Sequence, residues 1–269
     1  QKQSQRPNAD YIDTLAIRDF PKQADFLTAE EITNILDHKS MQGIRMQGTS
    51  YHPDGGLEHS FLRMSKYFIE FKNKTGLGQY LTFCVYQQMN DAEYSDSVAW
   101  LITSTPNGST STVSWKLDKY MVALAEYRLK DHIGTYHTKQ TATAELGSNW
   151  QIINYDGETQ TLMPLSNGHG IDPDTIKITN NSTASANCGV GMWGGTTAFV
   201  RNLHRSSTAT FNIKPQYCVG VFNTEIHKGQ VIDENDALAS KLFSFPPEKN
   251  LAVITAMSEN EKVSFSVDF

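Results

Sequence analysis

The chain contains two weakly similar copies of one strand-rich pattern, and this internal repeat constrains the fold more than any other feature. The segment "YMVALAEYRLKDHIG" begins at Tyr120, and "YCVGVFNTEIHKGQVI" begins at Tyr217, 97 positions later. Both begin with Tyr-x-Val and run through small and apolar residues to a charged turn. Similarity at a fixed spacing is the usual sign of a duplicated structural unit. The pattern predicts two β-rich units of about one hundred residues each, a normal domain size.

The similarity extends upstream of the two tyrosines. Trp115 corresponds to Ile213, 98 positions later, and Asn73 corresponds to Asn180, 107 positions later. Spacings that differ by a few residues are expected when loops of unequal length separate matching strands. The boundary between the copies is predicted in "LSNGHGIDPDT". The predicted units span residues 61–170 and 171–269.

From Tyr67 onward, apolar and polar residues alternate in short runs such as "YFIEFKN", "VAWLITS" and "TATFNIK". Turn sequences such as "NKTGLG", "TPNGST" and "MWGGT" separate these runs. Alternation with a period of two is typical of half-buried β-strands, and closely spaced short strands are typical of sandwiches. The sequence therefore predicts an all-β, sandwich or jelly-roll-like fold with an internal duplication.

Residues 1–60 follow a different pattern. Thr28 and Glu31 have the spacing of a helix-capping box, and apolar residues follow at helical spacing. A helix is predicted over about 29–38. A single amphipathic helix must cover its apolar face against something else. We expect residues 1–60 to form an N-terminal arm that packs on the β-rich body or on a neighbouring subunit.

Composition excludes two classes of partner. The net charge is −6 and the sequence pI is about 5.7, and no basic run is present, so nucleic-acid binding is not expected. No apolar run approaches the roughly 20 residues of a membrane-spanning helix. The chain begins at Gln1, and Asn-x-Ser/Thr triplets occur at Asn73, Asn107, Asn180 and Asn181. These features favour an extracellular or cell-surface location after removal of a secretory signal, and glycosylation of the triplets stays open.

The three cysteines, Cys84, Cys188 and Cys218, lie in apolar strand-like runs. An odd and small number of cysteines does not make a disulfide framework. We expect three buried thiols that bind no metal, although one disulfide between two of them stays open.

Trp193 is the candidate ligand-binding residue. It lies in "GVGMWGGTT", where flanking glycines allow a tight turn that leaves the indole exposed. An exposed indole can stack on a sugar ring or anchor a protein partner. The alternative is an indole folded over the end of the core. The other tryptophans lie within strand patterns and are predicted to be core residues: Trp100, Trp115 and Trp150.

Asp91, Glu93 and Asp96 in "NDAEYSDS" are weak calcium candidates, because calcium prefers oxygen ligands on loops. The alternative is a solvated acidic loop. Calcium is the one cofactor that the sequence suggests. No phosphate-binding loop, dinucleotide-binding glycine pattern, HExxH or GxSxG motif is present, so no catalytic residue is assigned and we do not expect an enzyme.

The segments "FKNKTG", "LTFCVYQ", "STVSWKLDKYMVALAEY", "ELGSNWQI", "TIKITNNS" and "KLFSFP", in this order, resemble the RhiA family of bacterial proteins. The resemblance covers roughly residues 68–269 and consists of strand patterns and turns. It implies a β-rich fold and transfers no active-site residue.

These observations predict a non-catalytic, secreted or surface β-sandwich protein that acts as a glycan-binding or structural module. Its expected partners are carbohydrate or neighbouring subunits of a homo-oligomer. One alternative is an extracellular filament subunit that joins its neighbours through the N-terminal arm. Another is a pore-forming or insecticidal toxin in which Ser/Thr-rich segments such as "STPNGSTSTVSW" become membrane hairpins. A hydrolase with an unrecognised site is the last alternative.

Overall fold

The computed structural model describes residues 66–78, 80–88, 95–117, 119–166 and 172–269. The predicted arm at 1–60 and its helix at about 29–38 lie outside the described residues. Lys66–Phe269 form one compact unit. This unit is nearly all β, which confirms the predicted fold class.

The chain order of the strands is β1 Lys66–Lys74, β2 Leu81–Tyr86, β3 Ser95–Ser97, β4 Leu101–Thr105, β5 Thr110–Lys116, β6 Tyr120–Lys130, β7 Ile133–Ala144, β8 Asn149–Asn154, β9 Gln160–Pro164, β10 Thr175–Asn180, β11 Ala186–Met192, β12 Gly195–Leu203, β13 Thr208–Asn212, β14 Tyr217–Phe222, β15 Ala239–Phe243, β16 Leu251–Glu259 and β17 Lys262–Asp268. A 3₁₀ helix, Glu234–Asp236, precedes β15.

The strands form four sheets that pack in two pairs. Sheet 1 has the order β17-β16-β1-β5 and sheet 2 has the order β15-β14-β2-β4. Their inner faces share one apolar core, and we call this pair sandwich 1. Sheet 3, β13-β10-β8-β9, and sheet 4, β3-β12-β11-β6-β7, share a second core and form sandwich 2. Strands β1 and β16 of sheet 1 bury alternate residues, as expected of a sheet packed on one face, whereas β2 and β14 of sheet 2 are buried on both faces.

The two halves of the chain have the same strand arrangement. In sheet 1, β1 pairs in parallel with β16 and antiparallel with β5. In sheet 3, β10 pairs in parallel with β8 and antiparallel with β13. In the second sheet of each sandwich, β2 lies between β4 and β14, and β11 lies between β12 and β6. The second half therefore repeats the pairing pattern of the first, and β3 is an addition without a counterpart.

The registers also match, residue by residue. Ile69 lies opposite Val113, and Ile176 lies opposite Phe211. These pairs have the spacings of 107 and 98 that the sequence repeat shows. Tyr120 begins β6 and Tyr217 begins β14, and these two strands hold equivalent places beside β11 and β2. The predicted correspondence of the two tyrosines is confirmed.

Each sandwich nevertheless contains strands from both repeats. Strands β6 to β13 all belong to sandwich 2, whereas β1, β2, β4, β5 and β14 to β17 form sandwich 1. Apart from β3, which lies between β2 and β4 in the chain but pairs with β12 of sandwich 2, the chain crosses between sandwiches after β5 and again after β13. The predicted repeat boundary near residue 170 falls between β9 and β10, inside sandwich 2. The boundaries 61–170 and 171–269 therefore stay predictions about the repeats, and the two sandwiches divide the chain at other positions.

A buried asparagine occupies the same place in both repeats. Asn73 ends the buried face of β1, and its Nδ2 donates to the Thr105 carbonyl at 2.9 Å. Its Oδ1 accepts from the backbone N–H and the hydroxyl of Thr75, at 3.2 and 2.7 Å. In β10, Asn180 bonds the Leu203 carbonyl at 2.8 Å and accepts both donors of Ser182, at 3.0 and 2.6 Å. Each asparagine thus ties the end of a strand in one sheet to a strand of the facing sheet in the same sandwich.

This arrangement explains two of the Asn-x-Ser/Thr triplets. The side chains of Asn73 and Asn180 are fully buried, and the Thr or Ser two positions later bonds the amide oxygen. A glycan cannot be attached to a buried amide nitrogen that already donates to the facing sheet without unfolding the strand end. The other two triplet residues, Asn107 and Asn181, are exposed.

Replacing Asn73 or Asn180 by Ala should lower the free energy of unfolding by roughly 2–3 kcal/mol, because buried backbone groups lose their partners. Chemical denaturation of the two variants measures this loss. The exposed neighbour Asn181→Ala is the matched control and should change stability by less than about 0.5 kcal/mol. Equal effects at positions 180 and 181 would contradict the structural role.

Candidate functional site

The Trp193 turn joins β11 to β12 at the end of sandwich 2. Met192 is buried and packs into the core of sandwich 1, so the tip of this hairpin contacts both sandwiches. Trp193 follows directly and is 46% exposed, which places its indole at the surface rather than over the core. Gly194 has a φ of 89°, a conformation that residues with a Cβ rarely adopt. We use the name Trp193 turn for residues 192–195.

Two hydrogen bonds fix the backbone of the Trp193 turn. The indole Nε1 of Trp100 donates to the Trp193 carbonyl at 2.9 Å. The ammonium of Lys228 donates to the Gly194 carbonyl. Trp100 is itself fully buried in sandwich 1, where its ring lies 5.3 Å from that of Trp115. The exposed indole is therefore mounted on a backbone that the core holds in place.

Lys228 belongs to a segment that crosses the outer faces of sheets 2 and 4. The N–H of Gly229 donates to Ala99, and the Gly229 carbonyl accepts from the N–H of Tyr136 at 2.9 Å. A Cβ at position 229 would lie 2.4 Å from the Tyr136 carbonyl, so glycine is needed for this approach. The backbone beside Lys228 is thus held from both sides, and we call residues 226–232 the strap.

Three of the four tryptophans are buried, as the sequence predicts. Trp100 and Trp115 are fully buried, and Trp150 is 7% exposed. Trp193 is the exception among the four. Its exposure agrees with the position expected for a stacking residue, and its role in ligand binding stays a prediction.

The calcium candidates are only partly described. Asp91 and Glu93 lie outside the described residues. The carboxylate of Asp96 accepts a hydrogen bond from the hydroxyl of Tyr136, whose ring stacks on Phe199 at 4.3 Å. Burial and this bond to Asp96 raise the pKa of Tyr136 well above its usual range, so the phenol stays a donor. Within the described ranges, no three His, Cys, Asp or Glu side chains are grouped as metal ligands would be.

A second cluster was not predicted from the sequence. The hydroxyl of Tyr86 donates to the Glu234 carboxylate at 2.8 Å, and the Cys218 thiol lies 3.6 Å from the same oxygen. This contact holds the 3₁₀ helix against the outer face of sheet 2. Residues 148 positions apart in the chain give no sequence signal for such a contact.

All three cysteines are free and buried. Burial raises the pKa of Cys84 and Cys188 to about 12 and that of Cys218 to about 11. The thiolate is the nucleophilic form, so a raised pKa makes a buried thiol unreactive near neutral pH. This confirms the expected burial of the three thiols, and the disulfide that the sequence left open is not formed.

Thiol labelling of the native protein at pH 8 should therefore be slow at all three positions and become fast on unfolding. The measurement is the rate of reaction with a chromogenic disulfide, with and without denaturant. Fast reaction of any one cysteine in the native protein would indicate a reactive site that the burial does not explain.

The fold and the site together define an all-β protein of two sandwiches with an exposed tryptophan on a turn that the core holds in place. No helix in the described part of the chain has the length and apolar character needed to cross a membrane. The family model described as RhiA matches residues 64–266, and the chain belongs to the RhiA family. No curated protein and no solved structure gives a significant match.

Proposed function

We propose that the described unit is a non-catalytic carbohydrate-binding module whose contact residue is Trp193. The observation that carries the proposal is an indole that is 46% exposed on a turn fixed by Trp100 and Lys228. A sugar ring presents an apolar C–H face that stacks on an indole. Fixing the turn beforehand lowers the ordering cost of binding. An extracellular or cell-surface location, expected from the sequence, belongs to this proposal.

Binding to immobilised oligosaccharides, followed by calorimetry on those that bind, tests the proposal. Trp193→Ala should weaken binding about tenfold or more, because burying a large side chain contributes about 1.5–3 kcal/mol and 1.4 kcal/mol is tenfold. Trp193→Tyr should retain part of the affinity. If Trp193→Ala bound the oligosaccharide with unchanged affinity, Trp193 would not be the contact residue and the proposed site would be wrong.

Tyr155→Ala is the matched control. Tyr155 is 76% exposed in the β8–β9 turn, next to Asn154, whose Oδ1 accepts from Thr183 at the other end of β11. Loss of the Tyr155 side chain should leave the affinity for the oligosaccharide unchanged. Bound sugar should also reduce the quenching of tryptophan fluorescence by iodide, because Trp193 is the exposed tryptophan of the four and the sugar would cover it.

Self-assembly is the second candidate, and open sheet edges favour it. Within the described residues, β17 pairs only with β16 and leaves its other side unpaired along seven residues. An extended segment of a neighbouring chain can add to such an edge through backbone hydrogen bonds.

Deletion of residues 1–25 distinguishes assembly from sugar binding. A filament subunit joined through its N-terminal arm should no longer assemble after the deletion. Its far-ultraviolet circular dichroism spectrum should stay unchanged, which would show that the sandwiches are still folded. Sedimentation velocity and negative-stain microscopy measure the result. A monomer in both forms would exclude the filament and leave the sugar-binding proposal in place.

A further inference from the structure

Lys228 lies in the strap, and its ammonium is the charged group that bonds the Trp193 turn. One of its three N–H groups donates to the Gly194 carbonyl. Its side chain crosses Gly195 so closely that a Cβ there would lie 3.2 Å from the lysine Cε. The indole and the ammonium are thus presented by the same four-residue turn and the strap beside it.

No carboxylate neutralises this ammonium within the described ranges. The ion pairs there join Arg128 and Lys139 to Glu126, and His227 to Glu225. Lys228 instead bonds an uncharged carbonyl, and the residue is exposed. A cation fixed by a neutral partner keeps its charge available for an anionic group.

The net charge of the protein opposes the attraction of an anionic ligand to Lys228. The whole chain carries a net charge of −6, which at long range disfavours anionic ligands. Screening at physiological salt limits such effects to about 8 Å. A preference for an anionic ligand at this turn must therefore come from a local cation, and Lys228 is the cation that bonds the turn.

We infer that the Trp193 turn selects sugars that carry an anionic group, with the ring stacked on Trp193 and the anion bound by Lys228. This inference rests on the proposed function and names its ligand class. A lysine binds carboxylate and sulfate as a point charge, without the planar geometry that arginine imposes. Carboxylated and sulfated sugars share this chemistry.

The test compares ligands that differ only in charge. The probes are an oligoglucuronate, its methyl ester, and a neutral and a sulfated oligosaccharide of the same length. The wild-type protein should bind the carboxylated or the sulfated probe about three- to tenfold more tightly than its uncharged counterpart. This ratio should fall as salt is raised from 20 to about 500 mM, because salt screens exposed charges.

Lys228→Met should lower the ratio of charged-probe to neutral-probe affinity to about one, while both probes bind more weakly because the bond to the Gly194 carbonyl is lost as well. Lys228→Arg should restore most of the ratio. Lys249→Met, an exposed lysine in the turn before β16, is the matched control and should leave the preference intact. Comparing the ester with the free acid on the wild-type protein does not depend on how well any variant folds.

The outcomes separate the two proposals. Equal affinity of the wild-type protein for charged and uncharged probes would overturn the inference and leave the proposed function standing. A preference that survives in Lys228→Met would also overturn it. If no probe binds, the proposed function itself fails, and the inference fails with it.

Discussion

Two parallel strand pairs, β1 with β16 and β8 with β10, hold the architecture together. Each joins the first strand of one repeat to a late strand of the other. A parallel pair needs a long crossover connection, and here the crossover from β1 to β16 includes the whole of sandwich 2. Neither repeat therefore closes a core with its own strands. The exchange makes both cores depend on both halves of the chain.

The buried asparagines follow from the same constraint. A strand that pairs on both sides must end without leaving backbone groups unbonded in the interior. Asn73 and Asn180 meet this need by donating to a carbonyl on a strand of the facing sheet and by accepting from two donors in the turn that follows. An Asn-x-Ser/Thr triplet, which at first suggests a modification site, is in these two places part of the strand end.

The candidate site also depends on the contact between sandwiches. Met192 enters the core of sandwich 1 from a hairpin of sandwich 2, and Trp100 of sandwich 1 bonds the next carbonyl. This fixes the turn that carries the exposed indole. The sequence offers the indole and the flanking glycines, whereas the partners that make the turn rigid come from positions 93 and 34 residues away.

The sequence by itself determined the fold class, the duplication and the burial of the three cysteines, and it left open whether Trp193 is exposed or folded over the core. These features depend on local alternation, on turn residues and on similarity between segments, all of which are read along the chain. The exchange of strands, the contact of Tyr86 with Glu234 and the position of Lys228 beside Gly194 were decided by the tertiary structure. They join residues far apart in sequence, and strands of either repeat present the same alternating pattern to a partner. Which repeat supplies that partner depends on how both cores close at once, and no local pattern encodes this.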